Sequence, residues 1–168
     1  GETVNNTENR PALHSALRLP VTASLVLNGQ DLVPAVHDSL AKMSDVVSRI
    51  HSRQWRGFSG RAITDVVNIG VGGSDLGPFM ACQALTEFAP EEANRLQVHF
   101  VSSIDGTQLS DLLGSLRPET TLFILSSKSF TTIDTMSNAH TALQWMLKDG
   151  VDKESVLAHH FIGISTNT

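Results

Sequence analysis

Short apolar runs alternate with helical patterns from residue 64 onward, and this alternation limits the possible folds more than any other feature of the chain. The runs are Val66–Gly70, Val98–Ser102, Thr121–Leu125 and Phe161–Ile164. Each of the first three is followed by a loop and then by apolar residues at helical spacing. Strands that alternate with helices in this way form βαβ units with a parallel sheet. We therefore predict an α/β fold in three layers, a parallel β-sheet sandwiched by helices, with right-handed crossovers.

The N-terminal third of the chain has a different pattern. Residues 1–20 are typical of an irregular arm with a short helical turn around Leu13–Leu17. Apolar residues at three- and four-residue steps predict one long amphipathic helix within Gln30–Trp55. Asp31 at its start and the arginines of Arg49–Arg56 at its end complement the helix dipole. We predict two regions: an arm and helix over residues 1–60, and an α/β domain over residues 61–168 that is incomplete at its C-terminal end.

The composition is that of a folded domain. Of the 168 residues, 40% are hydrophobic and 17% are charged, which supports a buried core rather than disorder. The net charge of −5 and the dispersed basic residues argue against nucleic-acid binding. We find no apolar run of about 18 residues and no secretory signal, so we expect no membrane partner and a cytoplasmic location. The single cysteine, Cys82, cannot form an internal disulfide, and we predict that it is buried as a small hydrophobe.

Ligands of open α/β sheets bind at the carboxyl ends of the strands. The first loop there, Gly70–Pro78, has glycines that let backbone N–H groups approach a ligand, a following helix N-terminus and the hydroxyl of Ser74. This chemistry suits a phosphate, although a plain turn would also explain the glycines. The loop lacks the third glycine of a dinucleotide site and the Gly-Lys-Ser/Thr ending of a P-loop. Asp75 is predicted to complement the helix dipole rather than to act as a base.

The third loop, Ser126–Thr132, packs five hydroxyls and the ammonium of Lys128 into seven residues. The next helix is predicted to begin near Thr131, with Thr131 or Thr132 as its N-cap and Asp134 placed like the acid of a capping box. Five hydroxyls exceed what capping requires. We therefore predict an anion site at this loop.

The second loop and the histidines carry less information. In Ser102–Thr107 we predict helix capping by Asp105 and Thr107, and a ligand role stays open. We predict that His140 is buried, because it falls on the apolar stripe of the helix after the third loop. His159 and His160 are adjacent and precede a strand, so they should point to opposite faces; no metal site is predicted.

Two of these segments resemble a known family. Asn68–Pro78 resembles the glycine-rich signature of glucose-6-phosphate isomerases, and Ser127–Thr135 resembles that family's Ser-Lys-Thr-Phe-Thr-Thr-x-Glu-Thr loop. Asn9–Arg18 and Val101–Thr107 also resemble family segments, in the family's order. The resemblance covers essentially the whole chain.

The resemblance implies a sugar-isomerase (SIS) domain with a five-stranded parallel sheet. It also implies interconversion of glucose 6-phosphate and fructose 6-phosphate, a step of glycolysis and gluconeogenesis, without a cofactor. Ser129 departs from the family's Thr but keeps the hydroxyl, and Asp134 departs from its Glu. The candidate residues for substrate and phosphate binding are Gly73, Ser74, Ser127, Lys128, Ser129, Thr131 and Thr132.

No candidate catalytic residue is found. The family uses a Glu base, an Arg, a His and a Lys, which the family's order places after Thr168, so we expect an N-terminal fragment that is inactive alone. The resemblance implies a homodimer for the full-length protein.

One alternative function is that of a non-catalytic phosphosugar-sensing module, which usually carries a DNA-binding segment and a basic patch. Another is an amidotransferase-linked isomerase, against which the Gly-Gly-Ser-Asp-Leu-Gly-Pro phrase and the N-terminal arm argue.

Overall fold

The computed structural model describes residues 3–4, 12–148 and 150–166. The chain divides into two compact units, residues 1–48 and residues 49–168. The predicted domain boundary at residue 60 stays a prediction. In the predicted arm, Asn9–Pro11 lies outside the described residues.

The first unit contains a short helical turn and a small hairpin. The predicted turn is a 3-10 helix over His14–Arg18. The hairpin, which the sequence analysis did not predict, pairs β1 (Val26–Leu27) with β2 (Gln30–Asp31). Its two connecting residues, Asn28 and Gly29, have φ of +53° and +82°. Asn-Gly favours this left-handed two-residue turn, because its twist matches that of the strands.

The long helix α1 spans Val33–His51. Asp31 Oδ1 accepts hydrogen bonds from the amides of Val33 and Leu25, both at 3.1 Å, so Asp31 stands at the predicted helix start. A side-chain hydrogen bond from Ser24 and these two amides lower the pKa of Asp31.

The predicted apolar stripe of α1 is only partly buried. Val33 and Ile50, at its two ends, are buried, whereas Leu40, Met43 and Val47 between them are exposed. Periodicity therefore predicted the helix correctly, but it did not predict how much of the stripe packs against other residues.

The second unit is built on a four-stranded parallel sheet. Its strands are β3 (Asp65–Gly70), β4 (Gln97–Val101), β5 (Thr121–Ser126) and β6 (Phe161–Ile164), in the order β4-β3-β5-β6. All four predicted strands form, and each end lies within one residue of its prediction. In the described residues the parallel sheet thus has four strands, where the resemblance implies five.

Helices cover both faces of this sheet, as predicted. They are α2 (Gly73–Leu85), α3 (Gly106–Ser115), α4 (Ile133–Met146) and α5 (Lys153–His160). One face packs against α3, α4 and α5 in a core of Val67, Ile69, Val101, Leu109, Leu113, Phe123, Ala142, Met146 and Val156. Between Val67 and Ile69, Asn68 points to the other face and donates to the Ser74 carbonyl of α2 at 3.0 Å. α2 lies on the opposite face from α3, α4 and α5 because the chain moves from β3 to β4 in one direction along the sheet and from β4 to β5 and β6 in the other.

The prediction that Cys82 is buried is wrong. Cys82 is exposed on α2, as are Leu76, Met80 and Leu85. The helix is apolar on most of its circumference, so the sequence alone does not show which side meets the sheet.

The prediction that His140 is buried is also wrong. His140 is exposed, and Ile133 and Met136 of the same predicted stripe are 72% and 38% exposed. The face of α4 that is buried instead consists of Thr135, Asn138, Ala139, Ala142 and Met146. Small side chains such as Ala139 and Ala142 allow the helix to approach the sheet closely, which a count of large apolar residues does not reveal.

His160, the last residue of α5, is fully buried. The Phe58 amide donates to His160 Nε2 at 2.8 Å, so the ring proton lies on Nδ1 and donates to the Thr121 carbonyl at 2.6 Å. The acceptor role of Nε2 requires a neutral ring, and burial lowers the pKa of His160 in the same sense. A Cβ added at Gly57 would lie 2.5 Å from His160 Cε1, so the chain passes directly over the ring.

His159, the neighbour of His160 in α5, lies in different surroundings. His159 is exposed, and His159 Nδ1 lies 3.1 Å from the Arg56 carbonyl. No group of three or more His, Cys, Asp or Glu in the described part of the chain is arranged to hold a metal ion. Among the described helices, none combines the length and the apolarity needed to span a bilayer.

We expect His160→Ala to lower the free energy of unfolding by about 2–4 kcal/mol, because it leaves a cavity and two unpaired main-chain groups. Urea denaturation measures the effect. The matched control is His159→Ala, which changes an exposed neighbour and should have a much smaller effect. Equal losses in the two variants would contradict this account of His160.

The same histidine should make stability depend on pH. Its pKa in the folded protein lies below the value of about 6.5 in the unfolded chain, so the unfolded chain binds a proton first as the pH falls. The stabilisation is complete above about pH 6.5 and decreases as the pH falls below it. Urea midpoints measured at several pH values should therefore fall less steeply toward acid pH in His160→Ala than in the parent. Parallel curves would contradict the prediction.

Candidate functional site

Three loops lie side by side at the carboxyl edge of the sheet. The glycine loop (Gly70–Ser74) follows β3, the β4 loop (Ser102–Asp105) follows β4, and the hydroxyl loop (Ser127–Thr132) follows β5. Since β3 lies between β4 and β5, the glycine loop has the other two as neighbours. The edge has the location at which open α/β sheets bind their ligands.

The glycine loop ends at a helix N-terminus that has no side-chain cap. Gly72 is the N-cap of α2 and has φ +59° and ψ −121°, a conformation that glycine tolerates and other residues avoid. Gly73 and Ser74, the two predicted substrate contacts in this loop, lie in the first turn; Gly73 is exposed and Ser74 is half-buried. The positive end of the α2 dipole is therefore open to an anion.

Asp75 lies in the first turn of α2, where an acid complements the dipole, as predicted. Its side chain is buried, and no hydrogen bond to Oδ1 is found among the described residues. A buried carboxylate in this position is poorly placed to receive a proton from a ligand in the loop mouth. The geometry agrees with the predicted dipole role.

Ser127 begins the hydroxyl loop and is 4% exposed. Its amide donates to the Ile164 carbonyl at 3.1 Å, which continues the pairing of β5 with β6. Its hydroxyl oxygen is buried and has no partner in the described part of the chain. Buried hydroxyls are nearly always hydrogen-bonded, because the group is otherwise desolvated without compensation. Ser127 thus keeps an unused hydrogen-bond donor at the start of the hydroxyl loop.

The rest of the hydroxyl loop is held firmly in place. The Lys128 carbonyl accepts hydrogen bonds from the Thr166 amide at 3.1 Å and the Thr166 hydroxyl at 2.8 Å. Phe130 has φ +52°, a strained value for a residue with a side chain, and its ring lies against Gly163. A Cβ at Gly163 would lie 2.9 Å from Phe130 Cζ. Strain of this kind persists where surrounding contacts impose it and is frequent at ligand sites.

The hydroxyl loop leads into α4, which begins at Ile133 with Thr132 as its N-cap. The predicted N-cap position is confirmed, but within the described residues the Thr132 side chain makes no capping hydrogen bond. Asp134 is the second helical residue rather than the third, so the predicted capping-box geometry is wrong. The Ser129 and Thr131 hydroxyls lie 2.5 Å apart. The first-turn amides of α4 therefore receive no side-chain cap from Thr132.

The β4 loop is satisfied internally. Asp105 Oδ1 accepts from the Thr107 amide at 3.0 Å, which confirms Asp105 as the cap, whereas Thr107 is the second residue of α3 rather than a cap. Hydrogen bonds from Thr107 lower the pKa of Asp105. Gln108 Oε1 accepts from the amides of Ser102 and Ser103 at 3.3 and 3.4 Å. Because these groups are already paired, the loop offers less to a ligand than its neighbours do.

Asn68 is the residue of this region that the sequence analysis missed. It is buried, and it contacts Ser74 of the glycine loop and Ser126, the residue before the hydroxyl loop. A single signal could have found it: a polar residue inside the apolar run Val66–Gly70.

The comparisons with known proteins give the family. A family model described as phosphoglucose isomerase matches residues 1–168. The chain belongs to the phosphoglucose isomerase family. It is 59% identical over 172 residues to the glucose-6-phosphate isomerase of Psychrobacter cryohalolentis, and 55% identical over 172 residues to glucose-6-phosphate isomerase 2 of Chromohalobacter salexigens. These matches cover 100% and 98% of the chain but only 30% and 31% of the two relatives.

A solved structure confirms the fold. A glucose-6-phosphate isomerase from Chlamydia trachomatis superposes with a TM-score of 0.75 over 94% of this chain and 28% of its own, at 24% identity. The predicted three-layer α/β fold is therefore confirmed. The seven candidate residues lie in two adjacent loops, and their roles in substrate binding stay predictions.

The conformation of Gly72 gives a prediction about stability. A Cβ added at Gly72 or at Gly73 meets nothing within 4 Å, so the two positions differ in backbone conformation alone. We expect Gly72→Ala to lower the free energy of unfolding by about 1–3 kcal/mol, because alanine disfavours its positive φ. Gly73→Ala, inside a helix, should be neutral or stabilising by up to about 1 kcal/mol. Urea denaturation of both variants measures the difference, and equal effects would contradict the prediction.

Proposed function

We propose that this chain carries the phosphosugar-binding part of a glucose-6-phosphate isomerase, which interconverts glucose 6-phosphate and fructose 6-phosphate in glycolysis and gluconeogenesis. The observation that carries the proposal is the buried hydroxyl of Ser127 at the start of the hydroxyl loop, which has no partner among the residues that the structure describes. This hydroxyl belongs to a chain that the family model matches over residues 1–168. The two named relatives support the substrate class, because each is named a glucose-6-phosphate isomerase.

The chemistry of the hydroxyl loop suits a phosphate dianion. Four hydroxyls, those of Ser127, Ser129, Thr131 and Thr132, and the ammonium of Lys128 occupy one loop that leads to the N-terminus of α4. Hydroxyl donors, an ammonium and the positive end of a helix dipole all favour a doubly charged oxyanion. We assign the phosphate group of the substrate to this loop.

The glycine loop suits the sugar part of the same ligand. Paired strands lie about 4.8 Å apart, so loops that leave adjacent strands reach one small molecule together. Gly70 and Ser126, where the two loops leave β3 and β5, are register partners. Gly73 would offer its backbone N–H group and Ser74 its hydroxyl to sugar oxygens, while the Ser74 amide donates to the Val71 carbonyl at 3.2 Å. We therefore assign the sugar to the glycine loop.

The isomerisation itself requires more than binding. Moving a proton between C1 and C2 through an enediolate requires a positioned base with a suitable pKa. Near the loops the described carboxylates are Asp75, buried in the first turn of α2, Asp105, which caps α3, and Asp134, in the first turn of α4. Asp75 and Asp105 serve helix N-termini, and Asp134 follows the loop to which we assign the phosphate, so we assign none of them as the base. We infer that the 168-residue chain binds phosphosugars weakly and does not isomerise them. The cytoplasmic location and a full-length homodimer belong to this proposal as inferences from the family. No observation favours the phosphosugar-sensing alternative.

We expect the chain to bind 6-phosphogluconate saturably and the Ser129→Asp variant to bind it at least about tenfold more weakly, because the added carboxylate repels the phosphate. Calorimetric titration measures both. The matched control is Ser110→Asp, the same change at an exposed position of α3, which should keep the parent affinity. Equal losses in the two variants would show that net charge, rather than the hydroxyl loop, governs binding.

We also expect no conversion of fructose 6-phosphate to glucose 6-phosphate by the chain, since no base is in place. A coupled assay with material purified from a host that lacks its own isomerase makes the measurement. Turnover by the parent that Ser129→Asp abolishes would contradict the inferred inactivity.

A further inference from the structure

Both polar atoms of the Asn68 side-chain amide form hydrogen bonds. Asn68 is 6% exposed and lies in β3, two residues before the glycine loop. Its Nδ2 donates to the Ser74 carbonyl at 3.0 Å, and its Oδ1 accepts from the Ser126 hydroxyl at 2.8 Å. The first contact reaches the first turn of α2, and the second reaches the last residue of β5. One side chain thus joins the two loops to which we assign the sugar and the phosphate.

Gly70 shows how closely these loops approach each other. It pairs in register with Ser126, and a Cβ added to it would lie 2.7 Å from the Ser74 carbonyl oxygen and 3.1 Å from the Ser126 carbonyl oxygen. The first distance leaves no space for a side chain, and the second is tighter than ordinary van der Waals contact. The main chains of the two loops therefore converge at Gly70, next to the Asn68 amide.

The chemistry of the two contacts fixes the orientation of the amide and the identity of the residue. The Ser74 carbonyl can only accept, so it must face Nδ2, and the Ser126 hydroxyl must then donate to Oδ1. Aspartate would lose the donor, an aliphatic residue would lose both groups, and glutamine is one methylene longer. Only asparagine spans this gap with a donor on one side and an acceptor on the other.

We propose that Asn68 is a positioning residue that fixes the glycine loop relative to the hydroxyl loop, so that one phosphosugar can contact both. The inference rests on the proposed function for its ligand. Inorganic phosphate needs the hydroxyl loop alone, whereas a phosphosugar needs both loops at the correct separation. Loss of the bridge must therefore weaken phosphosugar binding more than phosphate binding.

The test compares two ligands on four proteins: the parent, Asn68→Ala, Ser126→Ala and the control Thr121→Val. Ser126→Ala removes one hydrogen bond and keeps Asn68. Thr121→Val removes a buried hydroxyl that donates to the Arg117 carbonyl at 2.8 Å, at the opposite end of the same strand. Each protein is titrated calorimetrically with 6-phosphogluconate and, separately, with inorganic phosphate.

We expect both bridge variants to bind 6-phosphogluconate about ten- to a hundredfold more weakly, since a misplacement of about 1 Å has effects of that size. Their affinity for inorganic phosphate should change by less than about threefold, and Thr121→Val should match the parent with both ligands. Equal losses for the two ligands, no loss in Ser126→Ala, or an equal loss in Thr121→Val would each overturn the proposal. If Asn68→Ala does not fold, Ser126→Ala decides.

Amide hydrogen exchange without ligand separates this inference from the proposed function. Ser126→Ala alters β5 alone, yet it should speed exchange at the amides of Asp75 and Leu76, which donate to the Gly72 carbonyl at 3.1 and 2.8 Å. Thr121→Val should not. Faster exchange with no ligand binding by the parent would support the bridge and overturn the proposed function. If exchange in Ser126→Ala is unchanged and the parent binds the ligand normally, the proposed role of Asn68 is overturned and the proposed function stands.

Discussion

The parallel pairing of β3 with β5 is the constraint on which the second unit depends. The register runs without interruption from Asp65 opposite Thr121 to Gly70 opposite Ser126, so both strands end at the same level. The glycine loop and the hydroxyl loop consequently start side by side. A slip of one residue would turn Asn68 into the apolar core and Val67 away from it, at a large cost in burial.

Two buried polar side chains hold β5 at its opposite ends. His160 donates to the Thr121 carbonyl at the amino end, and Asn68 accepts from the Ser126 hydroxyl at the carboxyl end. Fully satisfied polar groups of this kind favour one arrangement over its alternatives, because any other would leave them unpaired in a medium of low dielectric constant. The satisfied pattern stops at Ser127, whose buried hydroxyl has no partner among the described residues. The proposed ligand site begins where the internal pairing ends.

Much of the fold could be predicted from the sequence, because buried parallel strands are short apolar runs bounded by turn residues. The side of each helix that packs could not. The burial prediction for Cys82 was wrong because α2 is apolar nearly all round. The one for His140 was wrong because α4 packs against the sheet through small residues. The seven candidate site residues were predicted from loop chemistry and family resemblance. Asn68 was missed, since the role of one polar residue in an apolar strand depends on which face it occupies.

The sequence by itself determined the order of strands and helices, the chemistry of each loop and the family of the chain. These properties are local, since they follow from residue types within a few positions of one another. The tertiary structure decided which loops are neighbours and which buried polar groups meet. Asn68 and Ser126 are 58 residues apart, and Phe58 and His160 are 102 apart. Contacts at such separations arise from strand order and from burial, both of which are set only when the whole sheet assembles.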